Sequence, residues 1–418
     1  MAHSGQAKTA FGALAGWSDG SLGPRPKLTL LPDPEPRPRL RRFISVDDHI
    51  VEPPDVFEGR LPQRFAERTP RIVEDEHGNE HWLLEGRMMG NIGLSAVVGR
   101  DESDKWTTDP LRFDDMRPGC WDVDARVADM DIAGIDASVC FPSFLPGFAG
   151  RMFSRQKDQE FGLALMRGWN DWHIEEWAGA HPDRIIPCQL TWLNDPELAA
   201  EEIRRNAARG FKAVTFTENP SAQKLPSLQS GHWDPFLAAC EETETVICLH
   251  VGGSGWNPIS APDASMAEAA TSVIVNAITA TIDWVWSGVA VRFPRLKVAL
   301  SESGISWVPA VIERIDYVTD HALKGDPYGW TDELRPSEVL RRNFWFCAID
   351  DPVGIRMRDH IGVENILLES DYPHADSNWP DSQLVIDEML AGVPEREAQM
   401  MASGNAEALF RHPLPTAP

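Results

Sequence analysis

The sequence predicts a (β/α)8 barrel, and three observations lead to this fold class. Eight short apolar runs alternate with longer amphipathic or capped stretches, as in chains built from βαβ units around a parallel sheet. Hydrophobic residues make up 42% of the 418 residues, which is enough for a large core. The polar residues suited to chemistry follow the apolar runs, and barrel active sites lie at the carboxyl ends of strands. A doubly wound open sheet is the alternative fold.

The predicted strands are runs of apolar and β-branched residues. They lie at 43–46, 137–141, 185–190, 213–216, 246–250, 296–300, 343–348 and 365–371. The clearest predicted helices lie at 156–178, 195–208, 263–291, 308–323, 380–390 and 394–410.

One barrel domain is expected at residues 43–411. Residues 1–42 are predicted to be a proline-rich arm, because the run 24–38 carries six prolines and favours extended backbone. Residues 52–126 are predicted to form a cap over the barrel mouth, since so long a connection inside a compact domain is usually functional or a subdomain. Residues 412–418 form the predicted tail.

Composition excludes several classes of function. Lys and Arg number 39 against 64 Asp and Glu, and the resulting charge of −25 argues against nucleic acid. No signal-peptide pattern and no run of 18 apolar residues is present, so we expect a cytoplasmic protein without a membrane span. The six cysteines form no CxxC pair and are expected to be reduced and mostly buried.

Two stretches place imidazoles and a carboxylate at strand ends. Asp47 and His49 are two residues apart, so on a strand both side chains point to the same face, and Asp48 points away. His250 ends an apolar run and is followed by glycines that leave room for a ligand. A lone histidine at such a position is more often a satisfied core residue than a ligand.

Two further stretches add carboxylates. Glu302 ends a predicted buried strand, where a carboxylate must be paired, protonated or bound to a metal. The segment 369–376 contains Glu369, Asp371, His374 and Asp376.

Together these residues predict a metal site, because the carboxyl ends of barrel strands converge on one mouth. The predicted ligands are Asp47, His49, His250, Glu302, Asp371 and His374. The absence of thiolates argues against a structural zinc site, and oxygen ligands with imidazoles suit iron, manganese or zinc. Several carboxylates also allow a second ion. The roles of Asp48, Glu52, Glu369 and Asp376 stay open.

The chain resembles the amidohydrolase-related family 2, which includes decarboxylases and hydrolases on a TIM barrel. The resemblance rests on the DxH at residues 47–49, the strand-ending His250, the stretch FPRLK leading to SESG, and SDYPH at 370–374. It extends from about residue 43 to 411 and implies that Asp47, His49, His250 and Asp371 are ligands of a first metal. The chain departs from the family's decarboxylases at Glu302, where they usually show a catalytic histidine.

The wider pattern, with VDDHxVEPPDVF, MRPGCWD, SESGISWVP and ESDYPHADSxWP, is similar to a branch of nonheme diiron monooxygenases. That resemblance implies two Fe²⁺ per chain, O₂ as co-substrate, an external reductant and a CoA-linked substrate. Diterpenoid acyl-CoA hydroxylation in platensimycin- and platencin-type antibiotic biosynthesis is the implied activity. Glu302 is then expected to bridge the irons, and Glu302 and His374 are the expected catalytic residues.

The alternative is a metal-dependent hydrolase or nonoxidative decarboxylase with one divalent ion and Glu302 as general base. An acyl-CoA would need cations at the rim, for which residues 37–42, Arg151 and Arg155 are candidates. A separate electron donor and a homo-oligomer are further expectations of the oxygenase hypothesis.

Overall fold

The structure is a computed structural model that describes residues 28–90, 92–93, 95–101, 109–256, 258–261, 264–321, 330 and 333–415. Parts of the predicted arm, cap and tail, and the ends of two predicted helices, therefore lie outside the described residues. These parts are 1–27, 91, 94, 102–108, 263, 322–323 and 416–418.

The described chain has twelve strand segments. They are β1 Ile44–His49, β2 Arg71–Glu74, β3 Glu80–Leu84, β4 Arg87–Met88, β5 Ala137–Phe141, β6 Ile185–Ile186, β7 Cys188–Leu190, β8 Ala213–Phe216, β9 Val246–His250, β10 Val298–Ser301, β11 Phe344–Ala348 and β12 Ile366–Leu368.

The sheet topology is that of a (β/α)8 barrel, which confirms the predicted fold class. All pairings among β1 and β5 to β12 are parallel, in the orders β1-β5-β6 and β7-β8-β9-β10-β11-β12. Segments β6 and β7 share one strand position and are separated by Pro187, which has no N–H to donate to the ladder. The strand ladder is also interrupted between β12 and β1, where two backbone hydrogen bonds join Asp371 N to Asp47 O and His49 N to Tyr372 O.

Helices follow the strands in the order expected of βαβ units. The α-helices are Val123–Ala133, Arg151–Ser154, Gln159–Trp172, Ala178–Ala180, Pro196–Ala207, Asp234–Thr243, Met266–Trp286, Val289–Arg292, Val308–His321, Pro336–Asn343, Pro352–Arg356, Arg358–Ile361, Ser382–Met389, Glu395–Gln399 and Asn405–Phe410. Two π-helical turns lie at His173–Trp177 and Met400–Gly404. Short 3-10 helices are Gln63–Arg68, Phe113–Asp115, Pro118–Cys120, Phe148–Gly150, Pro220–Gln223, Leu228–Ser230 and Val363–Asn365.

Side-chain caps account for several helix starts. Asp122, Asp158 and Asp195 each accept a hydrogen bond from a backbone N–H in the first turn of the helix that follows. The predicted helix 156–178 therefore begins only at Gln159, after the cap at Asp158.

The core has two parts because successive strand residues face opposite sides of the sheet. Alternate strand residues such as Val139 and Cys248 fill the barrel interior, while their neighbours pack under the helices. The last helix also contributes to the interior cluster, and the chain just after it lies at the amino ends of two strands. There, Arg411 donates to Glu244 O and His412 Nε2 lies 3.2 Å from Asp183 O.

The predicted cap contains the small antiparallel sheet β2-β3-β4. It also reaches the loop after β12, since Val97 N and Val98 N lie 2.9 and 3.2 Å from Pro373 O. The division into arm, cap, barrel and tail remains a prediction.

Two composition-based expectations can be compared with the described residues. All six cysteines are buried and free. One described helix, Ala267–Trp286, is long and apolar enough to cross a bilayer, with 39% of that window buried. A core helix of a water-soluble protein meets the same criterion, so this helix is weak evidence for a membrane span.

Candidate metal centre

Five of the six predicted ligands lie on or just after the carboxyl ends of four barrel strands. Asp47 and His49 are in the last three residues of β1, and His250 is the last residue of β9. Glu302 follows β10 directly, and Asp371 lies three residues after β12. The carboxyl ends of parallel barrel strands meet at one mouth, so four segments distant in sequence deliver side chains to one place.

The inner group of the centre consists of two imidazoles and two carboxylates. His49 Nε2 lies 3.1 Å from Asp371 Oδ1 and 3.4 Å from Asp47 Oδ1. His250 Nε2 lies 3.4 Å from Asp47 Oδ2 and 3.3 Å from His49 Nε2. All four residues are buried. Within each of the sets Asp47–His49–His250 and His49–Asp371–His374, one ligand atom per residue lies within 4.8 Å of the others.

The carboxylate oxygens of this group have no adequate hydrogen-bond partner among the described residues. None of the four oxygens of Asp47 and Asp371 accepts a hydrogen bond of acceptable geometry, although all four are buried. A buried carboxylate without hydrogen bonds is costly unless it is protonated or binds a cation. Imidazole nitrogen and carboxylate oxygen are ligands that manganese, iron and zinc all accept. The residues present therefore fit a divalent ion.

The electrostatics of the group support this conclusion. Burial raises the pKa of Asp47 and Asp371 well above the usual value, and neighbouring carboxyls such as Glu302 raise both pKa values further. Burial lowers the pKa of His250 to about 3, and that of His49 lies well below its usual value. Burial therefore favours neutral imidazoles and disfavours ionised carboxylates in this group, unless a divalent ion supplies the compensating charge.

The tautomer of His250 is fixed by its backbone neighbour. His250 Nδ1 lies 2.7 Å from the carbonyl oxygen of Val251, which can only accept, so Nδ1 donates. The lone pair is then on Nε2, which faces His49 and Asp47. A carbonyl that holds the outer nitrogen of a ligating histidine is the usual arrangement at metal sites.

Glu302 and His374 flank the inner group on the cavity side. Glu302 Oε2 lies 3.2 Å from His250 Nε2, and His374 Nδ1 lies 2.9 Å from Asp371 Oδ1. The ring of His374 stacks on that of His49 with centroids 3.8 Å apart. Glu302 and Asp371 both have φ of 55°, a left-handed conformation that non-glycine residues rarely adopt outside functional or strained sites.

The residues whose roles the sequence left open have distinct surroundings. Asp48 points away from the inner group and accepts hydrogen bonds from Ser138 Oγ, Ser45 Oγ and Tyr372 N. Its burial raises its pKa to about 6. Asp48 therefore ties β1 to β5 and to the loop after β12.

The other three acidic residues also differ from one another. Glu52 is buried and accepts hydrogen bonds from Ser143 and Trp169. Glu369 accepts from Glu302 N at 3.3 Å, and burial raises its pKa to about 8. Asp376 is exposed and lines the cavity together with Glu302.

A cavity of about 290 Å³ opens onto the centre. Its polar side carries His250, Glu302 and His374. Its remaining walls are largely apolar and include Phe144, Phe148, Met152, Val251 and Val273. The ring of Phe148 stacks on His250 with centroids 4.2 Å apart, so the apolar wall begins directly at a candidate ligand. Pockets that bind small molecules have this mixture of apolar walls and a few polar groups.

Sequence reasoning missed Arg126, which supports the end of β1. The residue is fully buried, and its guanidinium donates to the backbone oxygens of His49 and Gly119. Its guanidinium carbon also lies 4.2 Å from the ring centroid of Tyr372. The sequence does contain a sign of this role. Arg126 lies at helical spacing from Met130 and Ala133, so it is a charged residue on the buried face of its helix.

The arm arginines do not reach the barrel mouth, contrary to the prediction that they contact a CoA phosphate. The arm precedes β1 directly and therefore lies at the amino end of that strand, away from the centre. Its arginines form ion pairs within the chain, namely Arg37–Asp381, Arg39–Asp136 and Arg41–Glu395. Of the predicted cations, Arg155 is exposed and Arg151 lines the cavity.

Comparison with known proteins identifies the family. The family model Amidohydro_2, described as Amidohydrolase, matches residues 62–412. This chain belongs to that amidohydrolase family. It is 24% identical over 309 residues to the 2-amino-3-carboxymuconate-6-semialdehyde decarboxylase of Dictyostelium discoideum, with 72% of this chain and 80% of the relative covered.

Two solved structures have a similar fold. An amidohydrolase from Mycobacterium avium subsp. paratuberculosis K-10 is 25% identical, with a TM-score of 0.70, and the alignment covers 89% of this chain and 98% of the other. A 5-carboxyvanillate decarboxylase from Novosphingobium aromaticivorans, solved with bound manganese, is 17% identical, with a TM-score of 0.61 and coverage of 91% and 100%. At that identity the second likeness shows the fold alone.

The predicted monooxygenase function is wrong. The relatives named above with an activity are decarboxylases, which matches the alternative hypothesis and contradicts an oxidoreductase, a diiron centre and a role in antibiotic biosynthesis. Iron, O₂, a reductant and an acyl-CoA have no support from the relative of known activity, whereas a small-molecule substrate does. The candidate ligand groups of this chain fit a metal ion. The error arose from the resemblance to the diiron oxygenase branch and from the number of acids near the predicted ligands, of which Glu369 accepts the backbone N–H of Glu302 and Asp376 is exposed.

Proposed function

We propose that this protein is a divalent-metal-dependent, nonoxidative decarboxylase of a small carboxylic acid. The observation that carries the proposal is the convergence of Asp47, His49, His250 and Asp371 beside a largely apolar cavity. The similarity to a curated decarboxylase over most of the chain supports decarboxylation as the reaction.

Asp47, His49, His250 and Asp371 are the residues that would hold the ion. All four residues are buried, and no described residue donates a hydrogen bond of acceptable geometry to the carboxylate oxygens, which supports their availability to a cation. When bound, a divalent ion supplies a positive charge that orients a substrate carboxylate and stabilises negative charge. We propose manganese as the first ion to test, because a structural neighbour was solved with it.

Glu302 and His374 line the cavity and are proposed to act on the substrate. In decarboxylation the bond between the carboxylate and its carbon breaks, the electron pair stays on that carbon, and the carbon takes up a proton as CO₂ leaves. We propose Glu302 as the general acid that delivers this proton, because it lines the cavity with its Oε2 3.2 Å from His250 Nε2. His374, whose Nδ1 lies 2.9 Å from Asp371 Oδ1, would help to position the substrate.

The apolar walls of the cavity contribute to both binding and chemistry. Phe144, Phe148 and Val273 offer surfaces for an aromatic ring or an unsaturated chain. They also reduce the access of water to the centre, which strengthens electrostatic interactions there.

The test is release of CO₂ from candidate acids by the protein loaded with Mn²⁺, with and without oxygen. The candidates are 2,6-dihydroxybenzoate, 5-carboxyvanillate and salicylate. We expect CO₂ release from at least one acid, at equal rates under air and argon. Cleavage of esters or amides without CO₂ release from any acid would instead favour the hydrolase alternative.

Variants separate metal binding from proton transfer. Asp47→Asn is expected to lower the bound manganese, measured by mass spectrometry, by at least tenfold, and to abolish activity. Glu302→Gln is expected to retain manganese and to lower kcat by about 10²- to 10⁴-fold. Asp115→Asn replaces an equally buried aspartate outside the cluster and should retain both properties.

A further inference from the structure

Arg151 lies at the start of the helix Arg151–Ser154 and lines the same cavity as His250, Glu302 and His374. Its Nε is buried and makes no hydrogen bond. Among the described residues, none forms a hydrogen bond or an ion pair with its guanidinium. The side chain as a whole is half-buried, and a guanidinium stays charged, so the part of it that is withdrawn from water is costly without an anion beside it.

Two glycines leave space for this guanidinium. A Cβ at Gly255 would lie 2.6 Å from Arg151 Nη1, and a Cβ at Gly147 would lie 3.2 Å from Nε. Both glycines have positive φ, of 76° and 64°, and they come from loops after two different barrel strands, β9 and β5. In its present position the guanidinium therefore occupies space that a side chain at either glycine would narrow.

The charges around Arg151 do not neutralise it. Burial lowers its pKa, and so does the nearby charge of Arg155. Glu218 is the nearby carboxyl that opposes this effect. That carboxyl is already held by Ser254 and Asn276, and burial raises its pKa above the usual value.

We propose that Arg151 binds a second carboxylate of the substrate, so that the protein acts on a small dicarboxylic acid. One carboxylate would lie at the centre formed by Asp47, His49, His250 and Asp371, and the other against the planar guanidinium, which matches a carboxylate with two parallel hydrogen bonds. The apolar wall would hold the intervening carbon skeleton. This inference rests on the proposed decarboxylase function and specifies its substrate class.

The test compares the binding of benzoate, phthalate, isophthalate and terephthalate to the manganese-loaded protein by calorimetry. The three dicarboxylates place the second carboxylate at three different separations, so the series tests three spacings between the two carboxylate positions. We expect at least one dicarboxylate to bind at least tenfold more tightly than benzoate. Equal binding of benzoate and all three dicarboxylates would overturn the proposal without any variant.

Variants assign the preference to Arg151. Arg151→Met should reduce the preference to less than threefold and leave the affinity for benzoate within twofold, whereas the control Arg155→Met should keep the preference. If Arg151→Met does not fold, Arg151→Lys serves instead. Lysine keeps the charge but cannot form two parallel hydrogen bonds with a carboxylate, so this variant should lower the preference for dicarboxylates at least threefold. A preference that survives both substitutions, or an equal loss for benzoate, would show that Arg151 has no part in selecting dicarboxylates.

The binding experiment also separates this proposal from the decarboxylase proposal. A dicarboxylate preference that depends on Arg151, without CO₂ release from any acid, would leave Arg151 as an anion-binding residue and refute the decarboxylase function. Release of CO₂ from a dicarboxylic acid with KM unchanged in Arg151→Met would support the decarboxylase function and refute the role of Arg151.

Discussion

Replacing Glu52 by glutamine should change how the stability of the protein depends on pH. Glu52 follows β1 by three residues, is fully buried, and accepts hydrogen bonds from Ser143 and from the indole of Trp169. Burial is the largest cause of its raised pKa, which is about 7 compared with an ordinary value of 4.5. A glutamine has nearly the same shape and cannot ionise.

The direction of the change in stability with pH follows from which state, folded or unfolded, binds the Glu52 proton more tightly. Between pH 4.5 and pH 7 the folded protein keeps the Glu52 proton while the unfolded chain loses it, so stability falls as pH rises. The pKa difference corresponds to about 3.4 kcal/mol in total, at about 1.36 kcal/mol per pH unit. About 2.5 kcal/mol of this falls between pH 5 and pH 8.

Urea unfolding at pH 5 and pH 8 measures the effect. The free energy of unfolding of the wild type should fall by about 2.5 kcal/mol more than that of Glu52→Gln between these pH values. The exposed Glu58 lies in the same segment, and Glu58→Gln should behave as the wild type does. Parallel pH dependences of Glu52→Gln and the wild type would refute the claim that Glu52 is buried and neutral in the folded protein.

Three further predictions follow from the structure. Burial lowers the pKa of His173 to about 3, so below pH 6.5 the unfolded chain gains a proton that the folded protein lacks. The wild type should therefore lose stability between pH 8 and pH 5, and in urea unfolding His173→Gln should lose about 2 kcal/mol less than the wild type. Mn²⁺ at a hundred times its Kd should raise the free energy of unfolding by about 2.7 kcal/mol, a gain that EDTA abolishes and that Asp47→Asn lacks. Gly119→Ala should lower the free energy of unfolding by about 1–3 kcal/mol in the same assay, because its Cβ would lie 2.7 Å from Tyr372 Oη. A Cβ at Gly59 would meet no atom within 4 Å, so alanine at that position, where φ is 67°, tests the cost of backbone strain alone.

The sequence determined the fold because the strand pattern is strong. Strands β5, β8 and β9 have the bounds that the apolar runs predict, since fully buried strands are apolar on both faces. The deviations have local causes. Pro187 divides one predicted strand in two, and β12 ends at Leu368 because the chain leaves the sheet towards Asp371. Strand β1 extends through Asp47 and His49 because pairing with β5 outweighs their polar character.

The sequence was sufficient to predict the site residues at strand ends, but it did not predict how the neighbouring acids are arranged. A polar residue that ends a buried strand is visible in sequence, and so Asp47, His49, His250, Glu302 and Asp371 could be named. The sequence does not show which acids form hydrogen bonds with other residues around the site. Glu369 accepts from the backbone of Glu302, 67 residues away, and Glu52 accepts from Ser143, 91 residues away. Such contacts depend on distances between segments that sequence spacing does not give.

Only the tertiary structure decided the environment of the arginines. In sequence, residues 37–42, Arg151 and Arg155 were equivalent candidates for binding an anion. In the fold, Arg37 and Arg41 pair with nearby acids, whereas Arg151 is half-buried beside two glycines at the cavity. The physical reason is that the availability of a charge depends on its desolvation and on its neighbours, and both are set by how the chain packs.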